Sequence, residues 1–186
     1  FKPAALKTGR QADMKAAEDW FGIVKPHFYR APMDNDKGFG NWIAKDWKNN
    51  KLDKPETVTV SPLSSRRNDD GTVTVAITQE HRYANGKITA AYTYTMDYEG
   101  SVDFCATYTP EGQLPPMPCM GNTFLMDKGL KKLSWYGQGL QDSYVDRLEA
   151  TSIGRWTSSV DKEYVHYPRP QSSGNHEQAV TLSLSN

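Results

Sequence analysis

Arg30, Asp34, Asn35 and Asp36 place a guanidinium, two carboxylates and an amide in one short segment. Because these groups both donate and accept hydrogen bonds, they could form a polar wall that binds the hydroxyl groups of a ligand. The alternative is an ion pair between Arg30 and one of the acids, which would organise the segment itself. Pro32 lacks a backbone donor and favours extended geometry in the residue before it, so the segment is predicted to be a loop.

Two later segments carry comparable groups. In the first of them, Gly137 and Gly139 would let another backbone approach closely, and Asp146 and Arg147 could pair with a different part of the chain. The second follows prolines, which stiffen a loop. A structural role is the alternative for every residue of these segments. The candidate site residues here are Trp135, Tyr144, Asp146, Arg147, Arg169, Gln171 and Asn175.

The histidines and cysteines do not predict a metal centre. No spacing such as His-x-His, His-x3-His or Cys-x2-Cys occurs, so zinc is not expected. Cys105 and Cys119 are interpreted as free thiols, and a disulfide between them would require Cα atoms within about 7 Å. The four histidines are His27, His81, His166 and His176.

Composition limits the class of protein. The 186 residues contain 22 basic and 22 acidic side chains, and the formal net charge is zero. Without a basic stripe, nucleic acid is not an expected partner. No apolar run approaches the ~20 residues that span a bilayer, so we expect no membrane partner and a soluble chain, either cytoplasmic or periplasmic. The chain starts at Phe1 without a visible secretory signal, and we expect it to be a segment of a longer protein.

Alternating apolar residues predict long antiparallel strands in the middle of the chain. Val73, Val75 and Ile77 alternate, and the return strand repeats the pattern. Between them Asn85-Gly86 is a typical two-residue hairpin signal, because both residues tolerate a positive φ. A third strand follows a turn at Glu99-Gly100. The aromatic stripe on these strands is interpreted as core. The residues predicted to share one face of the return strand are Ile88, Ala90, Tyr92, Tyr94, Met96 and Tyr98.

Later strands are predicted beyond a proline-rich crossing loop at 110–118, over residues 119–126, 130–136, 150–156 and 179–184. Helix is scarce. A short one is predicted over 41–48 with Asn41 as its cap, and a linker helix is an option over 11–19. The fold class is therefore all-β, an antiparallel β-sandwich over residues 26–186 that follows a linker or N-terminal extension over residues 1–25.

Three segments together resemble the C-terminal small-chain domain of family 2 β-galactosidases. Residues 28–36 are similar to a family signature of two aromatics followed by Arg-Ala-Pro-Thr-Asp-Asn-Asp. Residues 134–147 resemble its Trp-x-Gly-x-Gly-Pro-x-Glu-Asn-Tyr-x-Asp-Arg stretch. Residues 167–175 resemble Tyr-x-x-Pro-Gln-Glu-x-Gly-Asn. Two departures stand out: Leu140 replaces the usual proline, and Asp142-Ser143 replaces Glu-Asn.

The resemblance implies a fold and a role. The fold would be the super-sandwich shared with galactose-mutarotase-like proteins, which in the family continues further, so this chain could be truncated at its C-terminal side. The intact family members hydrolyse terminal β-galactosides with retention, using two glutamates of a central barrel. No glutamate here lies in such a motif, so the chain alone is predicted to be non-catalytic. It would pack on the barrel and shape one side of the sugar pocket.

The implied partners are galactosides, the remaining domains of the same polypeptide and, in an oligomer, further copies. No cofactor is expected in this domain, although intact members use Mg²⁺ and Na⁺. One alternative is a free-standing carbohydrate-binding module, which would need exposed aromatics of its own. A weaker alternative is mutarotase-like aldose isomerisation by a His and a Glu. For that reaction His176 and Glu177 are the nearest pair in sequence, but neighbours on a strand point apart.

Overall fold

The computed structural model describes residues 24–38, 42–169 and 171–186. The predicted linker helix over 11–19, Asn41 as a cap and most of the predicted extension over 1–25 lie outside these residues. The described chain divides into two compact units. The first unit contains the described residues up to Pro32 together with Asp36–Leu125, and the second contains Met33–Asn35 and Met126–Asn186.

The first unit is built on a four-stranded antiparallel sheet in the order β2-β3-β4-β5, and a separate pair joins β1 to β6. A 3-10 turn covers Asn35–Lys37. The elements are β1 (Val24–His27), α1 (Ile43–Asn49), β2 (Glu56–Arg67), β3 (Val73–Arg82), β4 (Gly86–Met96), β5 (Val102–Gly112) and β6 (Gly121–Phe124).

The predicted alternation on β3 and β4 is confirmed. Val75 and Ile88 are fully buried, and Tyr92 and Tyr94 of the aromatic stripe are 4% and 2% exposed. Since successive side chains of a strand point to opposite faces, one face of the sheet forms the core and the other stays accessible. Tyr98 was predicted to continue the stripe, which is wrong. It is 82% exposed because β4 ends at Met96 and Tyr98 lies in the following turn.

The β3–β4 hairpin is confirmed, but the predicted reason for Asn85-Gly86 is wrong. Neither residue has a positive φ. Gly86 already pairs with Gly112 in the sheet, and a Cβ at Gly86 would lie 2.4 Å from the carbonyl oxygen of Glu111. The position therefore requires glycine because a neighbouring strand comes too close for any side chain, not because the turn needs left-handed backbone.

Strand β2 was not predicted from the sequence. It lies at one edge of the four-stranded sheet in the described chain and pairs with β3 alone. Its register shifts between Thr59 and Ser61 and again between Ser61 and Ser64. Such bulges break the period of two, which is why alternation does not reveal the strand.

Helix α1 confirms the short predicted helix, with Trp42 at its N-cap position. Trp47 is 2% exposed, and its indole Nε1 donates to the carbonyl oxygen of Pro116 at 2.8 Å. Trp42 is 62% exposed. Of the two tryptophans, only Trp47 thus belongs to the core of this unit.

The second unit contains a three-stranded antiparallel sheet in the order β8-β7-β9. All of these strands match predicted ones, so the all-β antiparallel class is confirmed; the mutarotase-like super-sandwich stays a prediction. Two 3-10 turns cover Val145–Ala150 and Val160–Glu163. The strands are β7 (Lys132–Gly139), β8 (Ser152–Ser159) and β9 (Thr181–Ser185).

Glycines on β7 allow close packing, as the sequence predicted. A Cβ at Gly137 would lie 2.7 Å from the Cα of Ala179, and one at Gly139 would lie 2.6 Å from the indole of Trp156. The Nε1 of Trp156 donates to the carbonyl oxygen of Gly137 at 3.1 Å. The segment before β9 and the indole therefore both rest on the bare backbone of β7.

Candidate functional site

Arg30 and Asp36 form the ion pair that the sequence allowed. The guanidinium nitrogens Nη1 and Nη2 donate to the two carboxylate oxygens at 2.6 and 3.1 Å, a bidentate arrangement. The guanidinium also lies 5.4 Å from the ring centroid of Trp47. Asp36 is buried although it is charged. The pair therefore anchors the loop, while sugar contact by either residue stays a prediction.

Asp34 and Arg169 bring the first and third motif segments together within the second unit. An Nη1 of Arg169 lies 3.1 Å from an Oδ2 of Asp34. Both side chains are largely exposed, at 80% and 52%, so this pair is a weak one. Asn35 and Gln171 are exposed as well. This part of the predicted polar wall is accessible to a ligand.

Ser143 and Asn175 join the second and third motif segments. The backbone N–H of Ser143 donates to the carbonyl oxygen of Asn175 at 2.7 Å, and the amide Nδ2 of Asn175 donates to the carbonyl oxygen of Ser143 at 2.7 Å. The hydroxyl of Ser143 accepts from the backbone N–H of Glu177, also at 2.7 Å. Ser143 is fully buried. We call these three residues the clasp; it gives Asn175 a structural role.

Trp135 connects the sheet to a histidine–glutamate pair. Its ring is 3% exposed and lies 4.0 Å, centroid to centroid, from the imidazole of His176. The Nε2 of His176 lies 2.7 Å from an Oε2 of Glu163. Glu177 instead accepts from the amide of Asn175, so His176 and Glu177 have different partners. Trp135 is thus part of the packing, and Glu163 is the true partner of His176.

Arg147, Asp142 and Tyr167 form a closed network. The Nη2 of Arg147 lies 3.0 Å from an Oδ1 of Asp142 and donates to the hydroxyl of Tyr167 at 3.3 Å, and that hydroxyl donates to Asp142 Oδ2 at 3.3 Å. The hydrogen bond that Arg147 donates to Tyr167 is the main cause that raises the pKa of Arg147. The shorter Asp142 carboxylate, which replaces the family's glutamate, therefore still reaches its partners.

Tyr144 and Asp146 lie beside this network. The guanidinium of Arg147 lies 4.8 Å from the ring centroid of Tyr144. Burial, followed by the charge of Asp142, raises the pKa of the Tyr144 hydroxyl. Asp146 is exposed, and Asp142 rather than Asp146 is the acid that pairs with Arg147. This part of the motif thus fixes Arg147 and leaves the side chain of Asp146 in solvent.

A pocket of about 550 Å³ opens beside the network, and we call it the network pocket. Sequence analysis missed part of its wall, because the turn that carries Lys162 and Glu163 has no motif. The signals that the sequence did give are the candidate Arg147, its neighbours Leu140, Gln141 and Asp142 in the second segment, and Tyr167 in the third. The pocket is lined by Leu140, Gln141, Asp142, Arg147, Thr157, Ser158, Lys162, Glu163, Val165 and Tyr167.

Metal-ligand groups, membrane-spanning helices and disulfides are further kinds of site that the described residues could hold. Within residues 24–38, 42–169 and 171–186, no three His, Cys, Asp or Glu side chains are grouped as metal ligands. No helix in these ranges is both long and apolar enough to cross a bilayer. Cys105 and Cys119 are free thiols, as interpreted from the sequence.

Comparison with known proteins places this site in a family. The sequence profile described as β-galactosidase small chain matches residues 5–186. The chain belongs to the β-galactosidase small-chain family. All three motif segments and the network pocket lie within the matched residues. The resemblance drawn from those segments is therefore confirmed at the level of the small chain.

Individual relatives carry the name β-galactosidase. The chain is 37% identical over 93 residues to that of Streptococcus thermophilus, a match that covers 50% of this chain and 9% of the relative. It is 30% identical over 184 residues to that of Aeromonas hydrophila, a match that covers 90% of this chain and 16% of the relative. To that of Priestia megaterium it is 28% identical over 166 residues, covering 87% of this chain and 15% of the relative. This small chain thus corresponds to a small part of a longer polypeptide in its relatives.

Proposed function

We propose that this small chain is a non-catalytic domain of a retaining family 2 β-galactosidase that hydrolyses terminal non-reducing β-D-galactosides. In that enzyme it packs against the catalytic barrel and shapes one side of the sugar pocket. The observation that carries the proposal is the family match over nearly the whole chain, joined to relatives named β-galactosidase of which it covers at most 16%. Its partners are then galactosides, the other domains and, in an oligomer, further copies.

The geometry of the acids supports a non-catalytic role. Retaining hydrolysis uses two carboxyl groups about 5 Å apart that are free to act as nucleophile and acid. Three acids at the candidate site are instead held by a basic side chain: Asp36 by Arg30, Asp142 by Arg147 and Glu163 by His176. An acid held in this way stays fixed and organises its neighbours, which suits a wall better than a reaction centre.

We propose that the ions of the intact enzyme bind outside this domain. The resemblance implies Mg²⁺ and Na⁺ in intact members, but the described residues of this chain offer no group of three acidic, histidine or cysteine ligands. Hard cations need several oxygen ligands at once. The role proposed for the chain depends on neither ion.

The mutarotase-like alternative gains no support from the histidine–glutamate pair. Opening a sugar ring requires an acid and a base that reach different oxygens of the substrate. His176 and Glu163 are bonded to each other, and the Nδ1 of His176 is buried. The pair can present one carboxylate to the network pocket, which is too little for that chemistry.

A complementation assay tests the proposal. The chain and the remainder of its enzyme are prepared separately, and hydrolysis of a nitrophenyl β-galactoside is measured for each alone and for the mixture. We expect no turnover by the chain alone and a rise in turnover when it is added to the remainder. Hydrolysis by the chain alone would overturn the proposal. So would a remaining enzyme whose activity does not change when the chain is added.

A further inference from the structure

The network pocket has a wall that is fixed before any ligand arrives. The carboxylate of Asp142 is only 9% exposed, and it is held by Arg147 and Tyr167 on two sides. On the adjacent turn, Glu163 is held by His176, which is itself packed on Trp135. Polar groups that are fixed in advance lose little freedom when they bind a ligand, which favours recognition.

The formal charges on the wall cancel. Arg147 and Lys162 supply two positive charges, and Asp142 and Glu163 supply two negative ones. An anionic ligand would gain from the cations and be repelled by the acids, and the reverse holds for a cation. A neutral ligand that both donates and accepts hydrogen bonds is the one that suits such a wall.

The same pocket also offers apolar surface. Leu140 is 57% exposed and Val165 is 39% exposed, and both line the pocket together with the ring of Tyr167. A sugar ring carries C–H groups as well as hydroxyls, so it can contact apolar and aromatic side chains while its hydroxyls bind polar ones. The volume of about 550 Å³ lies within the range of roughly 300–1,000 Å³ typical of small-molecule pockets.

We propose that the network pocket is a binding site for a neutral sugar, a hexose or a disaccharide, that lies within the small chain itself. Asp142 and Glu163 accept hydrogen bonds from sugar hydroxyls, and Lys162 and the hydroxyl of Thr157 donate to sugar oxygens. The choice of galactose and lactose as probes rests on the proposed function. All of its wall belongs to the second unit.

The test is a titration of the ¹⁵N-labelled chain with galactose and with lactose, followed by amide NMR shifts. We expect saturable shifts confined to residues near Asp142, Thr157, Glu163 and Tyr167, with a dissociation constant in the millimolar range expected for weak ligands. Galacturonate and galactosamine, which add one charge of either sign, should bind more weakly than galactose. Tighter binding of either would overturn the neutral-ligand class, and shifts elsewhere or none at all would overturn the site.

Matched variants make the test specific. Lys162→Ala and Thr157→Val remove donors from exposed positions of the wall, so neither should disturb folding. Each should weaken galactose binding about fivefold, the effect of one lost hydrogen bond. Lys128→Ala and Thr181→Val make the same changes at exposed positions outside the pocket and should leave binding unchanged.

The two proposals fail in distinguishable ways. If wall variants bind galactose as tightly as the controls, the site is wrong, yet complementation of the remaining enzyme can still succeed. If galactose binds at the wall but the chain never complements, the domain role falls and the binding site stands. The readout of binding does not depend on hydrolysis in either case.

Discussion

The two units of this small chain are stabilised in different ways. In the first unit, two clusters of buried apolar side chains centre on Val75, Ala90, Tyr92 and neighbours. Among the described residues of the second unit, buried side chains are fewer and half of them are polar: Leu133 and Trp135 accompany Gln138 and Ser143. The first unit thus depends on apolar burial, and the second on hydrogen bonds that direct its loops.

That difference indicates where ligands are to be sought. An apolar core tolerates different apolar side chains of suitable size and shape, and the sheet that forms it requires no particular polar group. Side chain-to-backbone bonds such as those of the clasp instead fix individual loops, and loops held in one place can present groups to a ligand. The network pocket accordingly includes Asp142, which precedes Ser143 of the clasp, and does not lie on the four-stranded sheet of the first unit.

The largest expected effect is loss of apolar burial in the first unit. Ile88→Ala removes a fully buried side chain from β4 and should lower the free energy of unfolding by about 2–5 kcal/mol. Urea denaturation, monitored by circular dichroism, measures this change in the free energy of unfolding. Thr93→Ala, on the opposite face of the same strand, is the control and should change the free energy of unfolding far less. Equal effects of the two would mean that the sheet has no single core face.

The second expected effect concerns the clasp. Asn175→Ala removes the amide that donates to the carbonyl of buried Ser143, and should destabilise the chain by about 1–3 kcal/mol. Gln171→Ala, exposed in the same segment, should be neutral. Differential scanning calorimetry compares their melting temperatures. If both melt like the parent, polar bonds do not hold the second unit.

A smaller effect should appear on acidification. Burial lowers the pKa of His81 below its ordinary value of 6.5, so the folded chain binds fewer protons than the unfolded one just below that pH. Stability should therefore fall as pH drops below 6.5, until the folded pKa is reached. The carboxyls with lowered pKa, such as Glu80, begin to contribute only near 4.5. Urea midpoints measured between pH 7.5 and 5 report the histidine.

His81→Asn isolates that contribution. Its amide can still bond to Thr57, whose hydroxyl lies 3.0 Å from Nδ1 of His81, but it has no proton to gain in this range. The pH dependence between 7.5 and 5 should flatten. A slope that persists in the variant would assign it to another group.

The smallest effect is expected at the exposed ion pair of the second unit. Arg169→Ala breaks the contact with Asp34. Because both side chains are largely in water, the loss in the free energy of unfolding should be close to the error of a urea midpoint. Raising the salt concentration should remove whatever difference remains. A clear destabilisation would show that this pair, like the clasp, supports the second unit.

Much of the first unit could be predicted because its signals are local. The period of two from Ile88 to Met96 is visible in the sequence and matches the buried face. Strand β2 escaped prediction because its bulges interrupt that period. Gly86 was recognised at a hairpin, yet its need for glycine arises from the carbonyl of Glu111, which is distant in sequence.

The candidate site was less predictable because its bonds are long-range. Arg147 was named as a pairing residue, and Asp142 was quoted in the same segment, but nothing in the sequence singled out Lys162 or Glu163. His176 finds its partner 13 residues away. A motif shows which groups are present, whereas the partner of each group depends on how turns between strands return the chain to one place.

The bulged edge of β2 has a consequence for self-association. An exposed edge strand offers unpaired N–H and C=O groups that can recruit a strand from another molecule, the first step of amyloid growth. In β2 the register shifts distort that row, and Pro62, which lies between the shifted positions, supplies no N–H at all. The irregularity that hid this strand in the sequence thus also guards the sheet against fibril formation.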